Sequence, residues 1–345
     1  MTWLALSYDT MNHTPSWLAP DLPEMVERGA IVVEAQLGDG PEADVPLLDY
    51  ARDQGWARSF GLTLERSGAF RLRHAQGPGL AASRLAAPGG SPLRDIRLRF
   101  SWNAPERIGH LSVENLQDGT VHRSRAENPL PLPAEDIAGL FADIRHHRRH
   151  PGVRWYGLNA GTAVPGVAPC FSAAARVRTP EGWQPAGRLR PGDRVLTATG
   201  TPVRLLALRR MVLPARGSLT PVRLRAPYFG LAADLVVAPH HLVMVRGDDV
   251  EYLFGTPAAL VEARHLVDGL TARYDATQPT VTYVSPVLAR HDALDVEGCG
   301  VASLYLRDKE LGALGLDQSV PAHRRAALRV LRRFEAVAYC DLNRR

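Results

Sequence analysis

From Gly29 onward the chain keeps returning to one pattern, a few residues alternating apolar with polar and then a turn. Gly29-Ala30-Ile31-Val32-Val33-Glu34-Ala35 is rich in branched side chains and reads as a β-strand. Phe60-Gly61-Leu62-Thr63-Leu64-Glu65 and Ala69-Phe70-Arg71-Leu72-Arg73 flank a turn at Ser67-Gly68. Asp95-Ile96-Arg97-Leu98-Arg99-Phe100-Ser101-Trp102 alternates throughout, and Gly109-His110-Leu111-Ser112-Val113-Glu114-Asn115 closes at Asp118-Gly119. Successive strand residues face opposite ways, so alternation marks strands half-buried on one face. Short strands with frequent turns predict an antiparallel β-sandwich or jelly roll. Residues 1 to about 28, broken by Pro15, Pro20 and Pro23, predict no regular element. One helix is predicted over 133–147, acidic at Pro133-Ala134-Glu135-Asp136 and basic at its end. The run Arg145-His146-His147-Arg148-Arg149-His150 reads as the solvated end of that helix, where cations suit the dipole, ahead of a metal or polyanion site.

A chain of 345 residues with 45% hydrophobic and 22% charged residues has material for two domains. Only Lys309 among its 41 basic residues is a lysine, and the arginines are interspersed with Asp and Glu. A net charge of +5 spread in this way argues against a nucleic-acid surface. No run of 18 apolar residues predicts a membrane span, and Met1 to Pro15 lacks the basic start and apolar core of a signal peptide. The default expectation is therefore a cytoplasmic protein. Cys170, Cys299 and Cys340 are odd in number, far apart and without CxxC spacing. That argues against a disulfide framework or structural zinc, and neither a metal nor a cofactor is expected.

The pattern-level similarity of residues 1–150 is to concanavalin-like, laminin-G-type sandwiches. It implies a lectin-like domain with a carbohydrate or cell-surface ligand, and fold alone does not supply that function. Residues 151–169 then predict an exposed linker, since 159–169 are small, uncharged and rich in Gly and Pro. Ala168-Pro169-Cys170-Phe171 ends the linker and opens a new run of strands. Ala175-Arg176-Val177-Arg178-Thr179-Pro180-Glu181-Gly182-Trp183 reads as a hairpin, and Leu189-Arg190-Pro191-Gly192-Asp193-Arg194-Val195-Leu196 as a turn feeding a strand. By position alone Cys170 is either a small buried filler or a nucleophile.

These two stretches resemble the opening block of Hint domains, the Hedgehog/intein self-processing modules, most closely the bacterial stand-alone type. Asp234-Leu235-Val236-Val237-Ala238-Pro239-His240-His241-Leu242-Val243 is similar to the second block, and Ala263-Arg264-His265-Leu266-Val267 to the segment after it. Val281-Thr282-Tyr283-Val284, Arg290-His291-Asp292 and Val296-Glu297-Gly298 are similar to the closing block. The resemblance covers roughly 168–300. It implies a mainly β protein with an all-β Hint domain at 170–310 and a C-terminal helical appendage at 311–345. It also leaves non-classical export open.

The resemblance implies a single-turnover reaction with the chain's own polypeptide as substrate. The Cys170 thiol attacks the Pro169 carbonyl and turns the amide into a thioester by an N-to-S acyl shift. His241 is the implied proton donor to the expelled nitrogen. His291 orients the site, assists proton transfer, or is structural. Pro191-Gly192-Asp193 reads as a turn without a catalytic role. Three departures bear on the chemistry. Ala238 stands where the family has Thr or Ser, which removes a hydroxyl donor. No asparagine occurs from Cys170 to Leu342, so splicing by Asn cyclisation is not expected. Ser285 stands where related bacterial sequences have a histidine. The expected outcome is cleavage of the Pro169-Cys170 bond without splicing, or a non-cleaving Hint fold beside a ligand-binding sandwich. Cys299 is read as an acyl acceptor or partner of Cys170, or as a core residue, and Cys340 has no visible partner. Residues 321–339 predict an amphipathic helix with Leu328, Leu331 and Phe334 on one face.

Overall fold

The computed structural model describes residues 2–38, 42–53, 55–86, 93–142, 147–161, 170–306 and 321–343. Pro169, residues 162–168 of the expected linker, Arg145 and His146, and residues 311–320 of the expected appendage lie outside the described residues. The chain forms two compact units, Met1–Ala163 and Val164–Arg345.

Two antiparallel sheets make the first unit. The larger has seven strands in the order Val121–Glu127, Ile108–Asn115, Asp95–Asn103, Arg28–Gln36, Val153–Ala160, Thr2–Leu6 and Trp17–Leu18. The smaller has five, in the order His147–Arg149, Val45–Arg52, Arg58–Leu64, Phe70–Gln76 and Gly79–Leu85. Alternation dictates the packing. Every second residue of Asp95–Asn103 is buried, and Ile31, Val33, Leu98, Phe100 and Leu111 meet Tyr50, Phe60, Leu62 and Leu72 of the other sheet in one cluster. This is the sandwich read from the sequence.

Three expectations for this half are corrected. Residues 1–28 are not irregular, because Thr2–Leu6 is a strand of the larger sheet. The linker does not begin at 151, because Val153–Ala160 pairs with Thr2–Leu6 on one side and Arg28–Gln36 on the other. Both strands are buried on both faces at Trp3, Leu4, Ala5, Leu6, Trp155 and Tyr156, so neither shows a clean alternation. The helix expected over 133–147 is Ala134–Phe141, and His147–Arg149 is a strand against Val45–Arg52. The described basic run is thus a sheet edge instead of a helix end.

The second unit carries two six-stranded antiparallel sheets. One runs Ala207–Pro214, Thr280–Val287, Phe171–Ser172, Leu235–Val237, Val222–Leu224 and Ala272–Tyr274. The other runs Gly182–Pro185, Arg176–Thr179, Ala293–Val296, Cys299–Ala302, Leu242–Arg246 and Ala258–Glu262. The hairpin expected after Cys170 is present, with Thr179 opposite Gly182. A second hairpin joins Ala293–Val296 to Cys299–Ala302 through Glu297 and Gly298, both at positive φ. The C-terminal helix is Arg333–Asn343, shorter and later than expected. It starts there because Glu335 reaches back to accept the Arg332 backbone N–H at 2.8 Å, the return half of a capping box. Residues 321–332 form no helix, bending at 324–325 and 327–328 with one bridge from Val330 to Leu260; Leu331 is buried in the core and Phe334 is exposed. No helix among the described residues is long and apolar enough to cross a membrane.

Candidate functional site

A two-residue strand, Phe171–Ser172, delivers Cys170 to the centre of its sheet. Phe171 lies opposite Val284 on one side and Val237 on the other, so Cys170 sits where these two strands converge. The Cys170 carbonyl accepts the Ala238 N–H at 2.9 Å, and the Ala238 carbonyl accepts the His241 N–H at 3.0 Å. The His241 carbonyl in turn accepts the Ala263 N–H at 2.9 Å. Two backbone hydrogen bonds therefore link the cysteine to the histidine that begins the next strand, and the Phe171 ring lies 6.2 Å from the His241 ring. Ala238 takes part through its backbone, a role that any residue with an N–H fills.

Burial sets the protonation states. Cys170 is 1% exposed, and desolvation pushes its thiol up to about 12, with the Ser285 hydroxyl acting the other way. Desolvation lowers the His241 imidazole to about 3, with nearby His291 adding to the fall and the Ala302 backbone opposing it. At neutral pH the pair is a protonated thiol and a neutral imidazole. His241 Nε2 and Ser285 Oγ are both buried without a fully formed hydrogen bond. Ser285 thus faces the thiol through a weak hydrogen bond, and His241 Nε2 is left without a full one, an arrangement that burial penalises.

His291 closes the other side. Its Nδ1 accepts the Ala327 N–H at 3.1 Å, which assigns the ring proton to Nε2. Burial lowers this imidazole to about 4, with His323 adding and the Ser303 backbone opposing. The His291 ring lies 5.3 Å from Tyr305 and 6.0 Å from His323. Cys170 and His241 are therefore brought together, and His291 is near enough to shift the His241 titration.

The other sequence candidates fall elsewhere. All three cysteines are free thiols, and Cys299 points its buried Sγ toward the Gly300 carbonyl at 3.6 Å. Of the alternatives read for Cys299, the core residue is the one present, since it lies in the core of the second unit and does not pair with Cys170. Cys340 does have a partner, the His265 carbonyl at 2.9 Å. Asp193 accepts the Arg190 N–H at 2.8 Å and closes the turn read from the sequence. Among the described residues no group of three or more His, Cys, Asp or Glu is arranged to hold a metal. Ser285 is the group that sequence reasoning misses, since the sequence marks it only as an absent histidine. Its place beside Cys170 follows from the pairing of Phe171 with Val284, a long-range register that no local pattern encodes.

Residues 169–308 match the family model described as the Hint domain. No curated protein matches the chain by sequence. Among solved structures, the MchDnaB-1 intein matches at 17% identity and a TM-score of 0.27, over 39% of this chain and 98% of the intein. The Ruminococcus gnavus IT-sialidase CBM40 bound to α2,6-sialyllactose matches at 13% identity and a TM-score of 0.26, over 41% of this chain and 80% of that one. Scytalido-glutamic peptidase with a peptide-based transition state analog matches at 10% identity and a TM-score of 0.20, over 46% and 63%. Within the second unit, residues 169–308 are thus a Hint domain.

Proposed function

We propose that the second unit cleaves its own chain between Pro169 and Cys170 and does not splice. The observation that carries the reading is the setting of Cys170, a buried thiol that meets the Ser285 hydroxyl and is tied by two backbone hydrogen bonds through Ala238 to His241, whose Nε2 makes no full hydrogen bond. The thiol sulfur attacks the Pro169 carbonyl carbon. As the C–S bond forms the C–N bond breaks, and the thiol proton ends on the Cys170 nitrogen, now a free amine. Water then hydrolyses the thioester, giving a Pro169 carboxylate and restoring the thiol. His241 is neutral at rest, so its ring N–H goes to the departing Cys170 nitrogen as the thiol proton arrives at the other ring nitrogen. Ser285 donates toward the sulfur as the thiol gives up its proton, and the hydroxyl missing at Ala238 is not replaced by it.

Intact mass of the purified chain, with and without added thiol, tests the proposal. The expected result is two species, 1–169 and 170–345, formed faster with thiol and absent from Cys170→Ala. One uncut species in every condition would overturn it.

A further inference from the structure

The irregular stretch 321–332 is fastened down before the last helix begins. His323 carries four hydrogen bonds. Its N–H donates to the Leu306 carbonyl at 2.7 Å and its Nδ1 accepts the Leu306 N–H at 3.1 Å. Its Nε2–H donates to the Leu288 carbonyl at 2.9 Å, and its own carbonyl accepts the Tyr305 hydroxyl at 3.1 Å. Eight residues on, the Leu331 N–H donates to the Leu260 carbonyl and the Arg329 carbonyl accepts the Leu260 N–H, both at 2.8 Å. Leu331 is buried to 4% exposure in the core of the second unit. Between these two anchors, the Ala327 N–H donates to His291 Nδ1.

That contact has a chemical consequence. An imidazole that accepts at Nδ1 carries its proton on Nε2. His291 Nε2 has no partner of full geometry, so the Ala327 N–H is the one well-formed hydrogen bond the ring makes among the described residues. Ring contacts with Tyr305 and His323 hold the plane, and the Ala327 amide, with the Ser303 backbone acting in the same sense, sets the tautomer. A partner bound to one imidazole nitrogen ordinarily decides which nitrogen is free to react.

We propose that residues 321–331 are a positioning strap, in which Ala327, held by His323 and Leu331, sets His291 as the Nε2–H tautomer for the self-processing site. The proposal rests on the self-cleavage reading for its functional part, and its structural part stands apart from that reading. The strap is a positioning element, since nothing in it touches the reacting bond. It follows the β-body in the chain, so His291 is set only after the strap has been made and has docked. Self-processing of a growing chain therefore waits for the strap.

Ala327→Pro removes the N–H that His291 accepts and also fixes φ there, and Ala327→Ser keeps the N–H. The histidine ¹⁵N shifts of the full chain are the readout. The strap predicts one Nε2–H tautomer for His291 in the parent and in Ala327→Ser, and a mixed or inverted tautomer in Ala327→Pro. Should Ala327→Pro fail to fold, Leu331→Ala loosens the other anchor, which has no ring contact with His291, and should give the same spectral change. An unchanged His291 spectrum in the folded variants overturns the strap. Cleavage, read by intact mass, should slow at least tenfold in Ala327→Pro and not in Ala327→Ser. A parent that never cleaves would sink the self-processing reading and leave the tautomer result standing. A changed tautomer with unchanged cleavage would remove the strap's role in the site.

Discussion

At the scale of single residues, the site depends on what burial does to two groups. Cys170 and Cys299 are pushed up to about 12, whereas Cys340 is half-buried at the helix. At pH 8 a thiol of pKa about 12 is thiolate to roughly one part in 10⁴. Cys340 should therefore alkylate first with iodoacetamide, and the two buried thiols should follow only as the pH approaches 11–12 or the chain unfolds. Peptide mapping after timed alkylation reads this directly, and equal rates for all three would contradict the burial argument. Ser285→Ala should slow cleavage by about tenfold, near the ~1–2 kcal/mol of a hydrogen bond to a charged group. His241→Ala should slow it by about 10²–10³. Cys170 and His241 are legible from motif order alone, because the family resemblance places them by sequence. Ser285 is not, because its neighbour is 115 positions away and only strand register joins them.

Among elements, the alternating strands are the most legible. Asp95–Asn103 and Ile108–Asn115 agree with their sequence reading to within a residue, because one face is wet and the other dry. Thr2–Leu6 and Val153–Ala160 are hidden, because strands buried on both faces lose the alternation. The tail departs from its expected helix for a different reason. Its apolar positions at 328, 331 and 334 fit a helical period, yet backbone pairing with Leu260 and the His323 anchor hold residues 321–332 out of a helix. The hairpin at Glu297 and Gly298 gives an element-level test. Gly298 has φ of +93°, and a Cβ there would fall 2.6 Å from the Gly230 carbonyl oxygen. Gly298→Ala should cost about 1–3 kcal/mol, from the backbone conformation and the clash together. The melting temperature should fall by several degrees, and an unchanged value would show that this turn has room to relax.

For the whole molecule, buried neutral histidines make stability depend on pH. His74 in the first unit is lowered to about 4 by burial, and His241 and His291 in the second to about 3 and 4. Unfolded, each would bind its proton near pH 6.5. Between about pH 6.5 and 4 the unfolded chain thus holds more protons than the folded one, so stability falls as the pH falls through that window. Each tenfold loss of proton affinity on folding is worth ~1.4 kcal/mol. The second unit, with two such groups, should lose more than the first. Unfolding followed at pH 7, 5 and 4 should show this loss, and a His241→Gln/His291→Gln variant should show a shallower one. Equal pH slopes for parent and variant would mean these imidazoles are not buried neutral. The central claim for the molecule is the acyl shift at Cys170, and hydroxylamine tests it most directly, since it captures a thioester and leaves an amide alone. Treated with hydroxylamine, the folded chain should release 1–169 ending in a Pro169 hydroxamate, identified by the mass of its last peptide. An intact chain, or a fragment ending elsewhere or as a free acid in the presence of the trap, would contradict it.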